Sequence, residues 1–289
     1  IGDFMNYDLE FENMGRNAAT ILHSNFEYRL QRFVEENIVN KYKEKIGKTV
    51  AGTVTRIDKQ DNTFIEIGEV KGILQRKSRI KGETFKVGDV VKAIVKGVNI
   101  DKINGLLIDI SRTSPKFLEN LLALEVPELK DKKVIIEASA RIPGTRSKIA
   151  LSTTEPQIDP IGSVVGVKGV RIGSVSKQLH GENIDCVEFS TIPEMFIARA
   201  LSPALVNSVK IEKHPTYGEK GKAIVTIPSD QKSKAIGKAG LNIRLASMLT
   251  KYDIELVEVA SLSTSTVNSN EKNISEDKSA DTASLEALF

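Results

Sequence analysis

The chain has 289 residues, 41 Lys and Arg against 38 Asp and Glu, a net charge of +3, and 40% apolar residues. That is enough chain for two or three modest domains, and too little net charge for bulk electrostatics alone to mark a nucleic-acid binder. A single cysteine, Cys186, excludes an internal disulfide framework, and its apolar/polar surroundings read as a strand. No apolar run approaches the ~20 residues of a bilayer span and the start carries no basic-then-apolar leader, which together point to a cytoplasmic protein with no membrane partner.

Residues 1–45 begin with an acidic stretch at 8–16 that turns at Gly15. One long helical pattern follows over 18–45, with Ile21, Leu22, Phe26, Leu30, Phe33, Val34, Ile38 and Tyr42 at three-to-four spacing. Such a helix has a single apolar stripe, so it must dock on the next domain or on something outside the sequence. Residues 46–112 change period. Short β-branched runs at 49–57, 63–68, 72–74, 90–98 and 105–111 predict a five-stranded OB-type barrel. The G-x-V at 52–54, the strand at 63–67 and the run at 87–91 resemble an S1-like RNA-binding domain. Phe64 lies where such barrels present an aromatic to a base, a contact of roughly 1–3 kcal/mol. The other reading of Phe64 is core, and Phe85 is the other aromatic candidate.

Residues 113–191 predict a helix at 115–124, a hairpin with arms at 133–141 and 146–152, and a type II turn at Pro143-Gly144. Asp159 then caps a short helix opened by Pro160, a second helix runs over 170–179, the chain turns at His180-Gly181, and a strand covers 184–189. This α-β-β-α-α-β order returns in residues 192–260, with elements at 193–201, 206–212, 222–227, 229–236, 241–249 and 254–259. The fold class is therefore multidomain α+β. The tail at 261–289 carries Glu271, Glu276, Asp277, Asp281 and Glu286 against two lysines and few large apolar residues, so it predicts disorder and leaves the body near +6.

Between the paired helices of each unit lies the same device. Gly166-Val167-Lys168-Gly169 and Gly237-Lys238-Ala239-Gly240 stand 71 residues apart, and each runs into an apolar/polar/apolar helix start. Two glycines three apart at a helix N-terminus let a phosphate approach the backbone. A lone G-x-x-G fits a tight helix-helix turn equally well; recurrence in matching flanks favours function. Lys168, Arg171, Lys238 and Arg244 would add charge, as would Lys234 just ahead of the second loop, and the amides of Val170 and Leu241 would face phosphate. Ile172 and Ile243 are candidate floor residues for a base, or core. Asn242 either reads a base edge or caps its helix. Three scattered histidines, no metal-ligand spacing, and no P-loop or nucleophile-elbow motif argue for binding without catalysis, cofactor or metal.

The α-β-β-α-α-β units with G-x-x-G between consecutive helices resemble KH domains, whose loop clamps about four nucleotides. With the order long helix, S1-like barrel, KH, KH, residues 1–260 resemble the bacterial NusA family of transcription elongation and termination factors. The segments at 140–150, 159–171, 181–185 and 235–247 carry the likeness most specifically. The resemblance implies a monomer that rides RNA polymerase near the RNA exit channel and receives nascent single-stranded RNA. It further implies promotion of pausing and hairpin-dependent termination, and entry into antitermination complexes with other factors. Residues 8–40 look like the end of that family's polymerase-binding domain, whose first part is absent, and the acidic repeats some members carry after the KH pair are missing. An exoribonuclease such as polynucleotide phosphorylase places one KH before its barrel and a phosphorolytic core before both, which is not the order here. A ribosome-associated KH protein leaves the helix and barrel unexplained.

Overall fold

The computed structural model describes residues 15–101 and 105–259; the expectations for most of the acidic N-terminal stretch and for the tail at 261–289 lie outside the described residues. Helix α1 (Arg16–Lys43) starts from extended Gly15, whose carbonyl accepts the amides of Ala18 and Ala19. Its last turns dock on the next domain: Ile38 and Tyr42 join the barrel core, and Tyr42 Oη donates to the Ile67 carbonyl at 3.0 Å. Upstream the stripe stays uncovered, with Ile21, Phe26 and Phe33 more than 60% exposed.

Strands β1 (Thr49–Ile57), β2 (Thr63–Ile67), β3 (Val70–Leu74), β4 (Val90–Asp101) and β5 (Gly105–Ser111) close into a barrel of order β1-β2-β3-β5-β4. β1 pairs antiparallel with β4 to complete it, and β3 runs parallel to β5. Period two decides what fills the interior. In β2, Thr63, Ile65 and Ile67 point in while Phe64 and Glu66 point out. The expected five-stranded barrel is present, with β3 two residues longer at its start than the periodicity indicates.

The first KH unit comprises α2 (Pro115–Glu125), α3 (Pro127–Lys130), β6 (Val134–Ile142), β7 (Arg146–Thr153), α4 (Pro160–Val165), α5 (Val170–Gln178) and β8 (Asn183–Glu188). The second comprises α6 (Pro193–Ala200), β9 (Ser208–Lys213), β10 (Gly221–Pro228), α7 (Lys232–Ile236), α8 (Leu241–Thr250) and β11 (Tyr252–Val259). Each sheet has a central strand, β7 or β10, antiparallel to the strand before it and parallel to the last. Helix α3 is an addition to the sequence reading: Val126 is extended, and Pro127 supplies the fixed φ that restarts a helix.

The two units stack. Val134, Ile149 and Leu151 on one face of the first sheet pack with Phe117, Leu118, Val164 and Val175 of their own helices. Ala140, Ala150 and Val187 on the other face join Phe196, Ile197, Leu245, Ala246 and Leu249 of α6 and α8 in a second core. That core continues into Ala223, Val225 and Ile227 of the second sheet. The layers therefore run helices, sheet, helices, sheet. Lys148, fully buried, crosses the seam to donate to the Ser202 carbonyl at 2.8 Å, with Asp185 at 3.4 Å.

A buried ion pair lies on each side of the joint between barrel and first unit, and the arginine of each reaches across it. Arg112 holds Glu83 at 2.6 Å and reaches the Gln178 carbonyl at 2.8 Å. Arg141 holds Glu182 at 2.9 Å, both fully buried, and donates to the carbonyls of Arg112 and Ser114. Arg141 and Glu182 sit in the 140–150 and 181–185 segments, where they tie the hairpin to the residues at the joint with the barrel. Among the described residues no helix is long and apolar enough to cross a membrane.

Candidate nucleic-acid interface

Both loops follow one backbone path. In the first unit the Asp159 carboxylate accepts the Ile161 amide at 3.0 Å to start α4, which ends at Gly166 with φ 73° and ψ 172°. A single 3-10 turn, Val167–Gly169, then leads into α5. In the second unit α7 ends at Gly237 with φ 72° and ψ 176°, and the turn Lys238–Gly240 leads into α8. Lys168 and Ala239 are left-handed at φ 51° and 52°, and Gly169 and Gly240 at 74° and 72°. The path is thus independent of whether the middle residues are Val-Lys or Lys-Ala. A left-handed L-residue costs roughly 1–2 kcal/mol, and here both copies carry that strain at the loop tip.

The glycines of each pair serve different ends. A Cβ on Gly166 would stand 2.8 Å from Cγ of Arg171, and one on Gly237 would stand 2.7 Å from Cβ of Asn242. The first glycine is therefore required by the chain's own close approach. A Cβ on Gly240 would meet nothing within 4 Å, and one on Gly169 only Ile172 at 4.0 Å, so the second glycine leaves an open surface where another molecule's backbone can come close.

Arg171 and Asn242 occupy the same place and do the same job, which is not the one the sequence suggests. Arg171 Nη1 donates to the Ser163 carbonyl at 2.7 Å and to Glu128 at 2.9 Å. Asn242 Nδ2 donates to the carbonyls of Leu201, Lys234 and Ala235 at 2.9, 3.1 and 3.1 Å. Each ties the end of the first helix to the start of the second. Asn242 is buried at 3% exposure, so it neither reads a base edge nor caps its helix by its side chain. The amides of Val170 and Leu241 are also corrected: each closes the 3-10 turn onto Val167 or Lys238 and is not free for phosphate.

What the loops present outward is side-chain charge and apolar surface. Lys168, Lys238 and Ala239 are exposed at the tips, Arg244 and Lys234 are exposed on the flanking helices, and Val167 is 84% exposed. Ile172 and Ile243 are half-buried just beyond the loops, and Ile243 also packs on the shared core. On the barrel, Phe64 is half-buried on the outer wall, with the Arg56 guanidinium 4.2 Å from its ring centre and Ile73 opposite it on β3. Phe64 therefore lies outside the barrel core. Phe85 packs against the barrel core, so it offers no second stacking platform. Arg56, Ile73, Arg76 and Lys77, which surround Phe64 or the adjoining hollow, went unnoticed in the sequence; the register Phe64 opposite Ile73 is the signal that finds them.

Cys186 lies half-buried in β8, where burial and then Asp185 push its thiol up to about 12, so it is chemically quiet. Among the described residues no three His, Cys, Asp or Glu side chains gather into a metal-holding set.

Two family models match the chain: a NusA-like first KH domain at residues 112–189, and a NusA-like second KH domain at residues 193–264. The chain is similar to the transcription termination/antitermination protein NusA of Helicobacter pylori, with 42% identity over 100% of this chain and 77% of that protein. Identity to the NusA protein of Thermus thermophilus is 40% over 89% of this chain and 65% of that one, and to the Bacillus subtilis protein 33% over 89% and 67%. With the closed barrel, the stacked KH pair and the matched G-x-x-G loops in place, the chain belongs to the NusA family of transcription termination/antitermination proteins.

Proposed function

We propose that the chain is a non-catalytic, cytoplasmic elongation factor that associates with RNA polymerase as a monomer. It holds nascent single-stranded RNA on its two G-x-x-G loops, and so regulates pausing, termination and antitermination together with other factors. One observation carries this reading: two loops of unlike sequence share one strained backbone path, each ending in an open glycine beside an exposed lysine, on units joined by a common core. Phosphates are gripped by Lys168 and Lys238 with support from the helix N-termini, Arg244 and Lys234, and bases lie over Ile172, Ile243 and the outward ring of Phe64.

The test replaces Val167-Lys168, Lys238-Ala239, or both pairs, by Asp-Asp. Asp is among the residues that tolerate the left-handed position held by Lys168 and Ala239, and acids near a helix N-terminus favour the free helix, so melting temperatures stay near wild type. Each single replacement retains part of the RNA affinity and the double one approaches non-specific binding. The wild-type salt dependence has a log-log slope of about −0.7 per phosphate contacted. Full affinity in a folded double variant overturns the reading, and failure to co-purify with polymerase removes its polymerase half.

A further inference from the structure

A hollow of about 320 Å³ opens beside the N-terminus of α2, where that helix meets the barrel. Hydroxyls line it. Ser78 and Ser111 are buried at 7% and 4% exposure, with the half-buried Thr113 and Ser114 beside them. Their hydrogens outnumber the acceptors at hand. Ser111 Oγ accepts the Thr113 amide at 3.2 Å and lies 3.1 Å from Thr113 Oγ1, so whichever hydroxyl donates to the other, one keeps a hydrogen that no described residue accepts. Ser78 Oγ has no hydrogen-bond partner among the described residues.

Positive charge surrounds these hydroxyls. Helix α2 starts at Ser114 with no side-chain cap, no acid in its first turn, and Pro115 in place of a donor. The Lys116 amide is therefore its first N–H, and no described residue accepts it. The exposed Lys116 and Lys96 side chains also line the hollow, and no Asp or Glu among the described residues does. Lys96 is the residue that the β4–β5 ladder skips, since Val95 pairs with Ile110 and Gly97 with Asp109, a bulge of the kind that re-aims a side chain. Elsewhere Lys133, Lys213, Lys220, Lys222 and Lys232 each hold a carboxylate. Among the described residues neither Lys96 nor Lys116 does. The walls are fixed in advance: the Ser78 carbonyl accepts the Arg112 amide at 2.8 Å, and Asn120 Nδ2 donates to the Gly47 carbonyl at 2.8 Å.

We propose that this hollow binds the terminal phosphate of a small molecule. The phosphate oxygens accept the Ser78 hydroxyl, the free hydroxyl of the Ser111 and Thr113 pair, and the Lys116 amide, while Lys96 and Lys116 balance the charge. A phosphomonoester carries close to two negative charges and three strong acceptor oxygens, which matches this set of donors. A phosphodiester within a strand carries one charge and must keep chain on both sides of a floor this deeply buried. The half-exposed Ile46 at the rim is left for the body of the molecule, and the volume lies at the lower end of small-ligand pockets, about 300–1,000 Å³. No lining residue belongs to a G-x-x-G loop, so the site stands apart from the RNA-binding reading.

The test is an NMR titration of the full chain with inorganic phosphate, with adenosine monophosphate, and with the dinucleotide adenylyl-adenosine, which has a diester but no terminal phosphate. The Ser78 and Lys116 amides shift saturably with the first two, adenosine monophosphate binds the tighter, and the dinucleotide binds about tenfold more weakly or worse. Lys96→Gln combined with Lys116→Gln weakens phosphate binding by about tenfold or more, and Ser78→Ala by about fivefold. Both lysines are exposed, so the unliganded melting temperature stays at the wild-type value, while phosphate raises that of wild type more than that of the double variant. The double Asp-Asp loop variant responds to phosphate at Ser78 and Lys116 as wild type does. The proposal is overturned by shifts confined to Lys168 and Lys238, by equal affinity for the dinucleotide, or by a folded lysine double variant that binds phosphate like wild type.

Discussion

The two KH units share a loop to within a few degrees of backbone angle, yet they live in different surroundings. The first sheet is covered on both faces, and its hairpin end is braced internally by the Arg141–Glu182 pair and the Gly144 amide, which donates to Glu182 at 2.9 Å, while Arg141 reaches the end of the barrel at the Arg112 carbonyl, 2.8 Å away. The second sheet keeps one open face, where Lys222 bridges Glu212 and Glu255, and its hairpin ends in the fully exposed Tyr217. The loop is a local object, set by glycine spacing and one tying side chain. The unit's place in the molecule is set by single residues whose partners lie far along the chain.

That contrast breaks most visibly at the buried pair. Glu182→Gln leaves the fully buried Arg141 guanidinium without its counter-charge, and removing one partner of such a pair costs about 3–5 kcal/mol. Asp253→Asn, which breaks the exposed pair of the second unit with Lys220, changes stability by less than about 1 kcal/mol in the same chemical denaturation experiment.

Within each loop the glycines separate next. Gly166→Ala and Gly237→Ala add a clash to a backbone angle that favours glycine and sit at the upper end of about 1–3 kcal/mol. Gly169→Ala and Gly240→Ala meet open space and sit near the lower end. Equal costs at the first and second glycine would show that conformation alone, and not the close approach of Arg171 and Asn242, decides the position.

The tying residue sharpens the comparison further. Asn242→Leu removes the donor to the Ala235 and Lys234 carbonyls and leaves the Leu201 carbonyl only the Ala204 amide, at a cost of about 1–3 kcal/mol, whereas Arg171→Leu, at a site about a third exposed, costs about 1 kcal/mol or less. Both variants lower the RNA affinity of their own loop by loosening it, and calorimetry paired with RNA titration separates the two effects.

The smallest effect is one of pH, at the seam. Burial holds the Lys148 ammonium below the ordinary lysine range, against the pull of Asp185. Between that lowered value and about 10.5 the unfolded chain binds the proton that the folded chain has released, so this contribution grows as pH rises through the window and is lost as pH falls through the folded value. Comparing wild type with Lys148→Met cancels the tyrosines that titrate nearby, and the difference in melting temperature then shifts in favour of wild type as pH rises. A flat difference curve would mean that Lys148 titrates as if solvated.

Periodicity and repetition made most of this legible. Alternation in β2 and its neighbours gave the barrel, and the two G-x-x-G stretches with their flanks gave the KH pair. What stayed hidden depends on distant partners or on one local hydrogen bond. Asn242 sits at a polar position of a helix start, and that it turns inward is decided by the Leu201 carbonyl, 41 residues away. The Val170 and Leu241 amides are consumed by a 3-10 turn that no apolar period encodes. The helical stripe of α1 was visible, but a stripe does not say how much of itself is covered.

The shared core also orders events at the ribosome. The first unit's sheet is complete once Glu188 has emerged, but its outer face waits for α8, which ends at Thr250. At about 5–20 residues per second that wait is roughly 3–12 s. The residues bared meanwhile include Ala140, Ala150 and Val187, small side chains that later let a helix come down close on the sheet, beside the larger Ile142 and Phe189. A larger apolar residue at Ala140 or Ala150 would therefore be felt first as lost yield during synthesis, before any change in the finished protein's RNA binding.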